Sequence, residues 1–366
     1  MSLVRDIVDR LFFPDRDVHA IPVLDGGYAP NQRLEEADLI AALPEPAALT
    51  QGDDGTLFVA TGRTILACEG ERFDARRVFT DCTAAVGGLA WSDGTLFACV
   101  AGRGVLALDC TGRTVAELTE AASVPLRCPL AVETAADGTV LVTDGSRHND
   151  PAHWLQDLMQ CRPASGRLIA WRPGHEEASV LVDGLSWPAG VALAPDEREV
   201  FVSESWTHRL LAVARDGGNQ RVLVRNFAGY PGSLSRNPAG DYWISFFALR
   251  SQLTEFVLRE PGFRTRMMQM VSPELWIGPT LGGRADVREP TQIGRIKKLG
   301  IQKPWAPARS YGLVARIDAT GYALESLHSR SAGTVHGVSG AVQSGERLVV
   351  VSRGHGKLVV APLERG

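Results

Sequence analysis

Short apolar runs alternate with tight polar turns along the chain, and the alternation repeats six times. Each copy has a small or Pro/Gly-flanked start, an apolar strand, a turn, and a second strand rich in β-branched and aromatic residues. The copies read PEPAALTQGDDGTLFVA, VGGLAWSDGTLFACV, PLAVETAADGTVLVTD, PAGVALAPDEREVFVSE, PGSLSRNPAGDYWISF and VSGAVQSGERLVVVSR. Asp54-Gly55, Asp93-Gly94 and Asp137-Gly138 read as hairpin turns, because Gly accepts positive φ without steric cost. A third strand follows most copies (TILACE, GVLALD, GRLIAW, HRLLAV, GLVARI, KLVVAP), and the first five copies have room for a fourth. Four-stranded units repeating every forty residues or so predict an all-β, six-bladed β-propeller, read as one domain over residues 1–366.

Blade six lacks a fourth strand, since the sequence stops at Gly366 just after KLVVAPLE. An uncovered edge needs a partner. The segment His19–Leu24 is the expected donor, which makes residues 1–40 the carrier of the ring-closing strand. Two insertions interrupt the spacing, at about 145–165 and 248–310. Both fall between second and third strands, so both rise from one face. Asp150-Pro151 predicts a helix start with Trp154, Leu155, Leu158 and Met159 on one side. LTEFVLRE and FRTRMMQMV predict helices in the longer insertion. Loops on a rigid scaffold usually carry function; a contact between copies, giving a homo-oligomer, is the other reading of the 248–310 insertion.

Composition narrows the possibilities. Lys+Arg 38 against Asp+Glu 42 gives a net charge of -4, with no basic stripe, which argues against a nucleic-acid partner. No apolar run is long enough to span a membrane. The first residues, MSLVRDIVDRLFF, form an apolar stripe broken by Asp6 and Asp9, unlike a secretory signal. That stripe packs on the protein or lies on a membrane surface. The six cysteines form no CxxC pair and read as reduced thiols of a cytoplasmic protein. No nucleotide motif or G-x-S-x-G elbow is present, so no cofactor is expected and serine hydrolysis lacks a motif.

In a propeller the first strands start, and the second strands end, on one face. That face collects Glu204, Trp206 and His208 from blade four, and Arg147 and His148 from blade three. Blade six adds His336, Arg353 and His355, and Trp187 and Tyr230 flank two strand starts. Aromatic walls with a few polar groups describe a small-molecule site. Trp187, Trp206, Tyr230, Arg147, His148, His208 and Arg353 are therefore the candidate substrate-binding residues. Glu204 and His336 are the candidate general acid–base pair. Glu204 has an alternative, pairing with Arg209 or Arg353; so does His336, as a core histidine bonded to backbone. Asp144 is expected to cap the turn after its strand.

The run SGRLIAWRPGHEEASVLVDGLSWPAGVALAPDEREVFVSESWTHRLLAV, continued by NFAGYPGSLSRNPAGDYWIS and RLVVVSRGHGKLVV, resembles the strictosidine-synthase-like family. More distant relatives are the paraoxonases and gluconolactonases. In that wider group a divalent cation, often calcium, sits at the top of the axis, held by a first-blade Glu and by Asn or Asp at other blade starts. Here Glu45 matches that Glu, but the other starts read Leu130-Ala131, Pro188-Ala189-Gly190 and Pro231-Gly232-Ser233, so no metal is expected. The plant synthase of the family, a Pictet–Spengler enzyme, uses a Glu whose position falls here at Val338, and an aliphatic side chain cannot move protons. The resemblance implies a small organic substrate and, by analogy, metal-independent ester or lactone hydrolysis. A non-catalytic binder of a small molecule or protein is the alternative. A Pictet–Spengler-type synthase and a calcium-dependent lactonase would each lack key residues.

Overall fold

The computed structural model describes residues 20–363 except 176, 284–296, 299–300, 303–309 and 331–332. Six four-stranded antiparallel sheets are arranged as the blades of a propeller. Their inner strands are Pro46–Gln51, Val86–Ser92, Pro129–Thr134, Pro188–Leu193, Gly229–Arg236 and Val338–Ser344. Each inner strand touches the inner strands of both neighbouring blades, which closes the ring around one axis. Between blades, strand faces interdigitate; Leu141, Leu168, Val191, Val200 and Val213 form one such layer between blades three and four. The inner strands approach so closely that a Cβ on Gly88 or Gly190 would strike backbone of the next blade, which is why glycine stands there.

Blade six is completed by Asp38–Ala42, which pairs antiparallel with Lys357–Pro362 in the register Asp38↔Val360, Ala42↔Lys357. This corrects the expected donor. Ala20–Leu24 form no strand, and Leu24 packs instead on the blade-five cluster. Asp38–Ala42 prevails because its apolar residues reach a seam: Ala41 is buried there with Leu49, Val351 and Leu358. The amphipathic stripe at the N-terminus lies outside the described residues.

Both insertions contain the expected helices. In blade three, Asp150 accepts from the N–H groups of Ala152 and His153 and starts a 3-10 turn that leads into α1, Trp154–Met159. In blade five, α2 (Gln252–Leu258) and α3 (Pro261–Met270) follow the second strand. A buried bidentate pair between Arg250 and Glu255, at 3.0 Å on both oxygens, anchors α2 to its strand. These helices leave Phe256 and Met270 exposed. No helix of the described residues is long and apolar enough to cross a membrane. All six cysteines are free thiols.

Candidate functional site

Every blade begins with the same irregularity. Where the inner strand pairs with the second strand, the register slips at its second residue, or across Gly232–Ser233 in blade five. Such a bulge leaves one residue unpaired and re-aims it. The unpaired residues are Ala47, Gly87, Leu130, Ala189, Gly232 with Ser233, and Ser339, and together they line a mouth of about 100 Å3 at the top of the axis. Pro151 and Trp154 from the blade-three insertion, with Trp187, Phe247 and Leu281, form its walls. Glu45 and Trp187, the residues just before two inner strands, adopt left-handed backbone (φ 49 and 55), a conformation that collects at functional sites in non-glycine residues.

Among the described residues that line the mouth, Arg353 is the one that carries a charge. It is open to solvent, and its guanidinium has no hydrogen bond or ion pair to a described residue. Protein surrounds it on the remaining sides, so desolvation lowers its pKa below the ordinary value while the Glu45 carboxylate opposes that shift. The Ser339 hydroxyl is buried at the same rim and also lacks a hydrogen-bond partner.

A second cleft, of about 270 Å3, lies off the axis between α1 and blade four. It holds Trp206, His148 and His208, and shares Trp187 with the mouth. Its polar groups are largely occupied by one another. Asp157 accepts from Ser146, Asn149 and Trp206, and Glu255 is held by Arg250. Among the described residues, Arg264 Nε is a buried atom without a partner in the larger cleft, and in the smaller mouth the Ser339 hydroxyl and the Arg353 guanidinium have none, while Ser233 bonds Ser245.

The predicted residues divide accordingly. The aromatic ones do converge: Trp187 and Trp206 stack at 5.0 Å, Trp154 meets Phe247 at 5.7 Å, and Tyr230 stacks on Phe247 at 5.7 Å. Tyr230 is fully buried behind this layer with its hydroxyl unpartnered. Arg147 is tied to Asp183 at 2.6 Å. His148 is exposed, whereas His208 is 3% exposed and packs on Tyr230.

Glu204 and His336 line neither cleft. Glu204 is 0% exposed and accepts from the Ser186 N–H, the Thr207 hydroxyl and the Arg209 guanidinium. His336 donates from Nε2 to the Arg330 carbonyl and accepts at Nδ1 from Ser310, both at 2.8 Å. Burial pushes its pKa down to about 4, so the ring is neutral. In both residues the alternative to acid–base work describes the geometry: an ion pair to Arg209 for one, a backbone-bonded core histidine for the other.

A repeated motif explains Glu204. The last residue of the second strand latches onto the backbone just before the inner strand in four blades: Thr61 to Pro44 O, Asp144 to Cys128 N, Glu204 to Ser186 N, and Ser352 to His336 O. In blades three and four the latch is acidic and paired with the facing residue of the third strand, Arg167 or Arg209. Asp144 is therefore a fully buried ion-pair member rather than the turn cap expected. The signal was in the aligned copies, which end VAT, VTD, VSE and VVS.

Comparisons with known proteins agree with this architecture. The strictosidine synthase family model matches residues 130–213, blades three and four. The adipocyte plasma membrane-associated protein of Salmo salar is 27% identical over 84% of this chain and 73% of its own length. Protein STRICTOSIDINE SYNTHASE-LIKE 6 of Arabidopsis thaliana is 28% identical over 44% of each chain. The chain resembles the strictosidine synthase family, whose model matches its central blades. Solved structures share the fold of this strictosidine-synthase-like chain at lower identity. A gluconolactonase from Xanthomonas campestris has a TM-score of 0.58 at 18% identity, covering 89% of both chains. Regucalcin from Agrobacterium tumefaciens, a calcium-binding protein, has a TM-score of 0.57 at 13% identity, covering 90% of this chain and 97% of its own.

The axial residues do not fit a hard cation of that kind. Calcium takes six to eight oxygen ligands. The bulged positions that face the axis supply alanine, glycine, leucine and two serine hydroxyls, and Glu45, the matching carboxylate, is not among the described residues that line the mouth. No group of three or more His, Cys, Asp or Glu converges among the described residues.

Proposed function

We propose that this propeller takes a small organic molecule in its axial mouth and hydrolyses an ester or lactone bond in it without a metal ion. One observation carries the reading: the Arg353 guanidinium, without a partner among the described residues, set among Trp154, Trp187 and Phe247 and within electrostatic reach of Glu45. Apolar walls around a few convergent polar groups are the usual make of a small-molecule site. The rings would hold the apolar part of the substrate. Arg353 would draw the carbonyl oxygen and stabilise the negative charge that develops on it. Glu45 would take a proton from the attacking water, the role read from sequence for Glu204. Glu204 and His336 would then act on the fold, as latch and core residue, and Trp206 would support Trp187 from behind. Ester chemistry is taken by analogy with the gluconolactonase neighbour.

The test is turnover of a panel of esters and lactones by purified protein in excess EDTA. Activity is expected to survive EDTA and to fall by about a hundredfold or more in Glu45→Gln. Activity that disappears with EDTA and returns with calcium would overturn the metal-independent reading. A second reading, a binder without catalysis, is favoured by the sealing of both Glu204 and His336. It would prevail if ligands quench the mouth tryptophans and are recovered unchanged.

A further inference from the structure

The charge balance of the mouth narrows the ligand class, given that the mouth is the ligand site. Thirteen described residues line it, and twelve of these carry no charge: six bulged positions plus an extra serine, two tryptophans, a phenylalanine, a proline and a leucine are all neutral. The exception is Arg353 at the rim. A guanidinium offers five N–H donors in a planar fork that matches a carboxylate with two parallel hydrogen bonds. In this structure none of those donors meets a described residue. Glu45 is near enough to act on it electrostatically, yet no ion pair joins them within 4.0 Å. The guanidinium is open to solvent, so water fills its donors, and a ligand that displaces that water gains only if it offers acceptors in its place.

We propose that the axial mouth recognises an aromatic or otherwise apolar monocarboxylate, its carboxylate gripped by the Arg353 guanidinium and its apolar body seated between Trp154, Trp187 and Phe247. Charge sets the monoanion. One guanidinium neutralises one carboxylate, and the neighbouring Glu45 repels a second negative charge, which disfavours phosphate esters and dicarboxylates. The geometry adds a further donor, since the Ser339 hydroxyl is unpartnered at the same rim. The apolar walls come from three sources that only the fold assembles: Trp154 from the helical insertion of blade three, Trp187 before the inner strand of blade four, and Phe247 from the register slip of blade five. A carboxylate is also what ester or lactone opening releases, so the same grip would hold the product of the reaction proposed above.

The test uses a matched pair of probes, 3-phenylpropanoate and 3-phenylpropanamide, titrated against the whole protein while intrinsic tryptophan fluorescence is read. The two differ in charge and hardly in shape. The acid is expected to bind at least tenfold more tightly than the amide. Arg353→Gln should bring the acid down to the amide, Arg353→Lys should restore part of the preference, and Glu45→Gln should strengthen the acid further. Because each readout is a ratio between two ligands on one protein, a general loss of folding cannot mimic it. Equal binding of acid and amide by the unaltered protein, or an unchanged preference in Arg353→Gln, would overturn the carboxylate assignment while leaving the mouth as the site. Binding of neither probe, or binding that survives Trp187→Ala undiminished, would count against the mouth itself and remove the ground for both.

Discussion

At the scale of single residues, the polar groups sort by whether the fold uses them. Asp144 and Arg167 are both 0% exposed and joined at 2.6 Å, with the second carboxylate oxygen accepting from the Cys128 N–H. Removing one member of such a pair leaves a buried charge uncompensated. Asp144→Ala is therefore expected to lose about 3–5 kcal/mol of stability, read as a shift in the guanidinium midpoint. A loss under about 1 kcal/mol, the level of a surface pair, would contradict the buried-latch description. His328 and His336 behave differently. Both are buried and bonded at both ring nitrogens, and burial pushes each pKa from 6.5 down to about 4. The unfolded chain then binds protons first, so the stability from these two rings is full above pH 6.5 and drains away as pH falls towards 4. At pH 5 the cost is about 2 kcal/mol per ring. Urea midpoints at pH 7.5 and pH 5 should show that loss, and His328→Gln should shrink it. The residue types were all visible in the sequence, and so was the pairing of Glu204 with Arg209 as one of two readings. What stayed hidden was the Ser186 N–H, a backbone group that no side-chain pattern reveals.

At the scale of elements, the ring depends on one short strand. Asp38–Ala42 supplies the outer edge of blade six, so a chain cut before Asp25 should retain the seal, and one cut before Leu43 should not. The shorter truncation is expected to cost a few degrees in Tm, through the lost packing of Leu24. The longer one should cost on the order of 10 °C or more, by calorimetry. Equal melting of the two would show that the strand is dispensable. Hairpins were legible from sequence because each is closed locally by an Asp-Gly or related turn. The closing strand was not, because DLIAA is five residues long, mixed in pattern, and paired with a segment some three hundred positions away. His19–Leu24 looked equally extended. Only the position of blade five's surface, where Leu24 docks, separates the two.

At the scale of the whole molecule, six copies of one bulge turn a ring of strands into a funnel with a bulged residue from each blade at its throat. The family resemblance and the repeat were enough to foresee that throat and to find it poor in carboxylates. Its positive charge was legible as well, since Arg353 follows the second strand of blade six, which ends on that face. The closure of the ring also has a consequence in time. During synthesis Asp38–Ala42 leaves the ribosome long before Lys357–Pro362 exists, by roughly 15–60 s at ordinary elongation rates. Until then, blade five faces a gap and the closing strand has no edge to join. The nascent protein is thus an open arc whose two ends are sticky for β-structure, and it must be kept from pairing with the arc on the next ribosome before it can become a circle.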